Sequence, residues 1–211
     1  MVDGCNPYLT KRIDIISKND QREAIYVAYP IIECRRQARD DFFYKDPDKE
    51  INRSAETFTK KALHELLDKR LPVRFAELDT LEYSKSKKIV DSVLGKFLTT
   101  EVEYFRISQE LNFKTERNLI LIPYLVWTRG TDDYHGDKCS YVGHNAFRGN
   151  SACLWTQSQT LLLMINRKSK EVVYFKYSQC NMGLIYSPYE VRVRLNFKHC
   201  AQPLLRKLGY N

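Results

Sequence analysis

YEVRVRLNFK, residues 189–198, decides how the second half of the chain is read. Val191, Val193, Leu195 and Phe197 alternate with Glu190, Arg192, Arg194, Asn196 and Lys198. Apolar residues at every second position put one face of a strand on a core and the other in water. The wet face would be basic, carrying Arg192, Arg194 and Lys198. Two further strands are expected upstream. Leu161–Asn166 (LLLMIN) and Val172–Tyr177 (VVYFKY) are short apolar runs joined by Arg167-Lys168-Ser169-Lys170, which predicts a hairpin with a basic tip. Leu119–Trp127, with Pro123 inside it, reads as a buried strand and is far too short to cross a bilayer. After Phe113 the sequence therefore predicts an antiparallel sheet.

The first half carries a different period. Ser54 suits a helix N-cap, and Phe58, Ala62, Leu63, Leu66 and Leu67 form an apolar stripe that ends at Leu71-Pro72. Ile89, Val90, Val93, Leu94 and Phe97 repeat the pattern and predict a helix over 84–98. Lys85, Lys87 and Lys88 sit near its start, where the helix dipole disfavours cations and an anion would be welcome. Thr100 with Glu103 suits a further short helix reaching Leu111. Residues 12–34 admit two readings. Asp20 and Glu23 have capping-box spacing, whereas Ile25–Ile32 is rich in β-branched and aromatic residues and contains Pro30, which favours a strand. The fold class expected is α+β, a mixed, mostly helical N-terminal half followed by an antiparallel β-sheet in the C-terminal half. One domain over 1–211 is expected, divisible at most into a helical part, 1–113, and a basic β part, 114–211.

Composition narrows the class. The chain has 211 residues, 43% hydrophobic and 12% aromatic, enough apolar surface to offset chain entropy and exclude large-scale disorder. The opening MVDGCNPYLTKR lacks the apolar run of a signal peptide, so an intracellular protein of cytoplasm or nucleus, not secreted and without a membrane span, is expected. Six cysteines without a CxxC pair suit reduced thiols. The formal charge is +8. Residues 1–110 hold 20 Lys+Arg and 20 Asp+Glu, while 111–211 hold 14 and 6, so the whole excess lies in the C-terminal part. Such asymmetry points to a polyanionic partner, although positive charge also serves solubility alone.

Between the predicted strands lies YHGDKCSYVGHNAFRGNSAC, 134–153, too rich in Gly, Ser, Asn and Asp for regular structure. His135, Cys139, His144 and Cys153 give H-x3-C-x4-H-x8-C, a nitrogen and sulfur set suited to tetrahedral zinc. CSYVGH resembles the C-x3-GH half of a retroviral-type zinc knuckle. That resemblance implies zinc and, between the ligands, nucleic-acid contacts from Tyr141, Phe147 and Arg148. His135 or His144 could instead be a general base, with Asp132, Asp133 and Asp137 as metal ligands for phosphodiester chemistry. His144 and Cys153 also admit a thiol–imidazole pair. Tyr134-His135-Gly136 is similar to the YHG strand of diphtheria-toxin-type ADP-ribosyltransferases, which implies a later glutamate, for which Glu190 is the candidate.

The leading functional expectation is nucleic-acid binding, preferably to RNA or single strands. Arg167, Lys168, Lys170, Lys176, Arg192, Arg194 and Lys198 would position phosphates, and Tyr174 and Tyr177 would stack on bases. A small phosphodiester- or nucleotide-processing enzyme with its site at 132–153 is the alternative. A self-assembling structural protein, suggested by the 14 tyrosines, is the third reading. Oligomeric state has no signature in the sequence.

Overall fold

The computed structural model describes residues 12–14, 16, 24–36, 47–68, 70–97, 105–108, 110–133, 152–183 and 189–209, with the side chains of some of these, Cys153 and Arg192 among them, outside that description. Leu119–Trp127 lies in β5 (Leu119–Asp133), near the middle of a seven-stranded sheet. Ile120, Ile122, Tyr124 and Val126 enter one hydrophobic cluster, and Leu119, Leu121, Leu125 and Trp127 enter another on the opposite face. A strand buried on both faces needs no polar alternation, which is why this run is continuously apolar.

The sheet order corrects the expected fold class. The strands β1 (Arg12–Asp14), β2 (Ile25–Val27), β3 (Ile31–Arg36), β4 (Val73–Phe75), β5, β6 (Ala152–Asn166) and β7 (Glu171–Gly183) form one mixed sheet in the order β1-β7-β6-β5-β2-β4, with β3 also on β5. β5, β6 and β7 are antiparallel, as the sequence suggested, but β2, β3 and β4 from the first half run parallel to their neighbours. Parallel strands need crossover connections. The helical stripes of the first half are those crossovers: α1 (Pro47–Leu63), continued by a π-helical turn at His64–Asp68, and α2 (Thr80–Phe97). The chain is thus not a helical half followed by a sheet. Between Ile25 and Ile31 the β2–β3 line takes six steps against five along β5, from Leu119 to Tyr124, so an irregularity at Ala28–Pro30 lets one strand serve both partners.

The second correction is at residues 189–198. They are not a strand but the start of α3 (Tyr189–Lys207). Val193, Asn196, Phe197, Cys200, Ala201, Leu204, Leu205 and Leu208 are buried, a three-and-four spacing that only a helix produces, whereas Leu195 is 39% exposed. Val193 and Phe197 satisfy both periods, so ten residues could not separate them. The decisive residues are 200–208. Pro203 sits inside α3 and forgoes one backbone bond there. The register of α3 on the sheet is set by polar contacts. Asn196 Nδ2 donates to Ser158 O at 3.1 Å and Ser158 Oγ at 2.5 Å, Cys200 Sγ to Thr160 O at 3.6 Å, and Tyr174 Oη to Cys200 O at 2.5 Å. Burial pushes the Cys200 thiol up to about 12, so it acts as a small hydrophobe.

α1 and α3 lie on one face and α2 on the other. The expected helix reaching Leu111 is absent from 105–108 and 110–111. Phe105, Ile107, Leu111 and Phe113 instead lay an irregular segment across the α2 face, tied to the residue before β7 by Ile107 N donating to Lys170 O and to β7 by Val172 N donating to Phe105 O. Asp20, Glu23, Thr100 and Glu103, the expected capping residues, lie outside the described residues. No helix among the described residues is long and apolar enough to cross a membrane.

α2 starts at Thr80, capped by Asp79, whose Oδ1 accepts from Leu81 N at 2.9 Å and Glu82 N at 3.0 Å. Lys114 Nζ bonds the other carboxylate oxygen at 2.5 Å. Lys114 first, then the α2 amides, holds Asp79 down at about 2, against an ordinary value of 3.8. The folded state thus gains from the charged form above the ordinary value and loses that gain as pH falls from about 4 towards 2. We expect the thermal midpoint of the wild type to drop more steeply over that interval than that of Asp79→Asn, measured by circular dichroism. Parallel curves would remove the cap as the cause.

Candidate nucleic-acid interface

The turn Arg167–Lys170 forms between β6 and β7, as the apolar runs around it required. Asn166 Oδ1 accepts from Lys168 N at 3.0 Å and Ser169 N at 3.2 Å, and Lys170 takes the left-handed conformation with φ 60°. Arg167 is not a loose cation. Its Nη1 donates to Thr115 O at 2.6 Å, and its Nη2 lies 3.9 Å from Glu116. Arg106 Nε donates to Ser169 O at 3.0 Å, adding a cation that the sequence reading missed. Arg167 and Lys170, with Glu110, Leu111 and Asn112, line an open depression of about 330 Å³. Lys168 projects into solvent.

The other basic candidates are on α3. Arg194 and Lys198 are exposed, and so are Arg206 and Lys207, which the strand reading left out. Positions 194, 198, 202 and 206 stand four apart, so successive members are neighbours on the helix surface and the line winds by about 40° per step. At a rise of about 1.5 Å per residue, the Arg194–Arg206 row is about 18 Å long. Within Tyr189–Lys207 the only acid is Glu190. The missed signal was legible as the continuation of the four-residue spacing past Lys198. Arg192 belongs to α3 by its backbone, and its side chain lies outside the described residues. Arg194 Nε is 3.2 Å from Glu65 Oε2 in the π-helical turn. Asn196 lies at Ser158 and Cys200 at Thr160, so α3 advances in the direction of β6, towards the basic turn after Asn166.

These cations do not share one face of the sheet with the tyrosines, as the strand reading required. Tyr174 is 0% exposed beneath α3, its hydroxyl spent on Cys200 O, and offers no ring to a base. Tyr177 is half-buried against the cluster on the opposite face, and Lys176 is half-buried in β7, opposite Arg12 of β1. Among the lysines near the start of α2, Lys85 Nζ donates to Asn112 O at 3.3 Å and Lys87 Nζ lies 3.3 Å from Glu33.

His135, Cys139 and His144 lie outside the described residues, and with them the zinc set and both candidate bases. Cys153 is placed by its backbone alone, opposite Asp132 where β5 and β6 meet this segment, with Asp133 opposite Ala152. Among the described residues no three metal-ligating side chains converge.

The sequence matches no known protein family and no curated protein. Solved structures with a similar chain path include the PelC dodecamer of Paraburkholderia phytofirmans, at TM-score 0.40 and 11% identity over 93% of this chain and 96% of that one. A neuraminyllactose-binding hemagglutinin homolog from Helicobacter pylori superposes at TM-score 0.41 with 10% identity, over 93% of this chain and 91% of that one. Superpositions at this level transfer no property to this chain.

Proposed function

We propose that the protein binds nucleic acid through the outward cations of α3 supported by the basic β6–β7 turn. The observation that carries this is the row Arg194, Lys198 and Arg206 on a helix with one acid, in the half of the chain that holds the entire charge excess. Such a row suits a phosphate backbone, the sequence-independent part of nucleic-acid affinity. α3 lies flat, its apolar half on the sheet and α1 on the same face, so it cannot sink into a major groove. With Tyr174 buried, binding rests on charge.

Fluorescence anisotropy with a labelled oligouridylate and a duplex, over a series of salt concentrations, tests the reading. The logarithm of affinity should fall linearly with the logarithm of salt, by about 0.7 per phosphate contacted on a single strand. Lys198→Gln with Arg206→Gln should weaken binding roughly tenfold and flatten that slope by about 1.4, the share of two contacts. Salt-independent affinity, or none, would overturn the proposal.

A further inference from the structure

We propose that Glu65 is a built-in competitor for phosphate, occupying Arg194 until a polyanion displaces it. The inference rests on the nucleic-acid reading and concerns one residue that the reading does not use. Arg194 is 62% exposed, and Glu65, 35% exposed, approaches it within 3.2 Å from a different element. The two partners are held unequally. Glu65 sits in the π-helical turn His64–Asp68, a departure from α-helical winding of the kind that re-aims side chains at functional sites. That turn is pinned by Leu67, which is buried, and by the His64 ring, stacked on Phe75 at 3.8 Å. Arg194 reaches out from α3 on a long side chain that can turn from the carboxylate to a phosphate. An Arg–phosphate pair offers the same forked geometry as Arg–carboxylate. Glu65 therefore lowers affinity at the first position of the row and keeps weak, isolated anions off it.

The test is a cycle of dissociation constants for a labelled oligouridylate at one low salt concentration, on wild type, Glu65→Gln, Arg194→Gln and the double variant. Asp68→Asn is the control, because it removes the same charge from the same turn but its carboxylate lies 3.8 Å from His64. Glu65→Gln should tighten binding about two- to fivefold, the range of an exposed ion pair. The gain should shrink to that of Asp68→Asn once Arg194 is absent. Binding in which Glu65→Gln gains equally in both backgrounds, or no more than Asp68→Asn, overturns the inference and leaves the nucleic-acid reading standing. No binding by any of these proteins removes both.

Discussion

Asn196→Asp is expected to cost about 3–5 kcal/mol, whereas Leu195→Lys, one residue away, should change stability by less than about 0.5 kcal/mol. Asn196 is 0% exposed, and its amide donates to both Ser158 O and Ser158 Oγ. A carboxylate there would be buried, charged and set against a carbonyl, with the donor lost. Leu195 projects from the outer side of α3 and is 39% exposed, so a lysine there keeps its charge in water. A strand over 189–198 would require the opposite order, with Leu195 in the core and Asn196 wet. Urea unfolding of the two variants decides between them, and a destabilised Leu195→Lys beside an intact Asn196→Asp would restore the strand. For a domain stable by some 5–15 kcal/mol, the Asn196 loss is a large share.

Arg117→Ala should cost about 2–3 kcal/mol, because one guanidinium nitrogen closes the start of two strands. Arg117 Nη1 donates at 3.0 Å both to Ile25 O, at the start of β2, and to Pro72 O, just before β4. β2 and β4 are three residues each and have few bonds of their own. Losing the guanidinium removes a charged donor from both carbonyls where the parallel part of the sheet begins, and leaves Pro72 O with Ile25 N alone among the backbone donors described there. Arg117→Lys should recover less than half of the loss, since an ammonium is a compact point charge without the planar fork. Equal stability of Arg117→Lys and wild type in denaturant titration would show that charge at this spot matters and the fork does not.

What could be read from the sequence followed the length over which each period persists. β5 was legible because nine apolar residues in a row cannot be surface, and the α1 and α2 stripes were legible because each spans several turns. The polar ends of β6 and β7, such as Thr156–Ser158 and Ser178–Asn181, carry little apolar signal, so both strands were read too short. β2 and β4 fell below any periodicity. They are fixed by pairing to β5 and by Arg117, contacts distant in sequence. α3 was misread because Val193 and Phe197 satisfy two periods and its buried Asn196 looks like a surface residue. The basic candidates were misplaced in space: Arg194 and Lys198 kept an outward position, but on a helix, while Tyr174 went under it.

The sharing of β5 between near and distant partners bears on the order in which the molecule assembles. β6 and β7 meet across a four-residue turn, whereas Ile25 meets Leu119 from roughly ninety residues away. Closing the longer loop costs about 3 kcal/mol more in chain entropy. We expect the β5–β6–β7 meander to form first, with β2 and β3 docking afterwards on its β5 edge and β1 on its β7 edge. Synthesis delivers the pieces in the reverse order. β2, β3 and β4 leave the ribosome before β5, the strand that pairs β2 and β3, so those two pairings wait until it arrives.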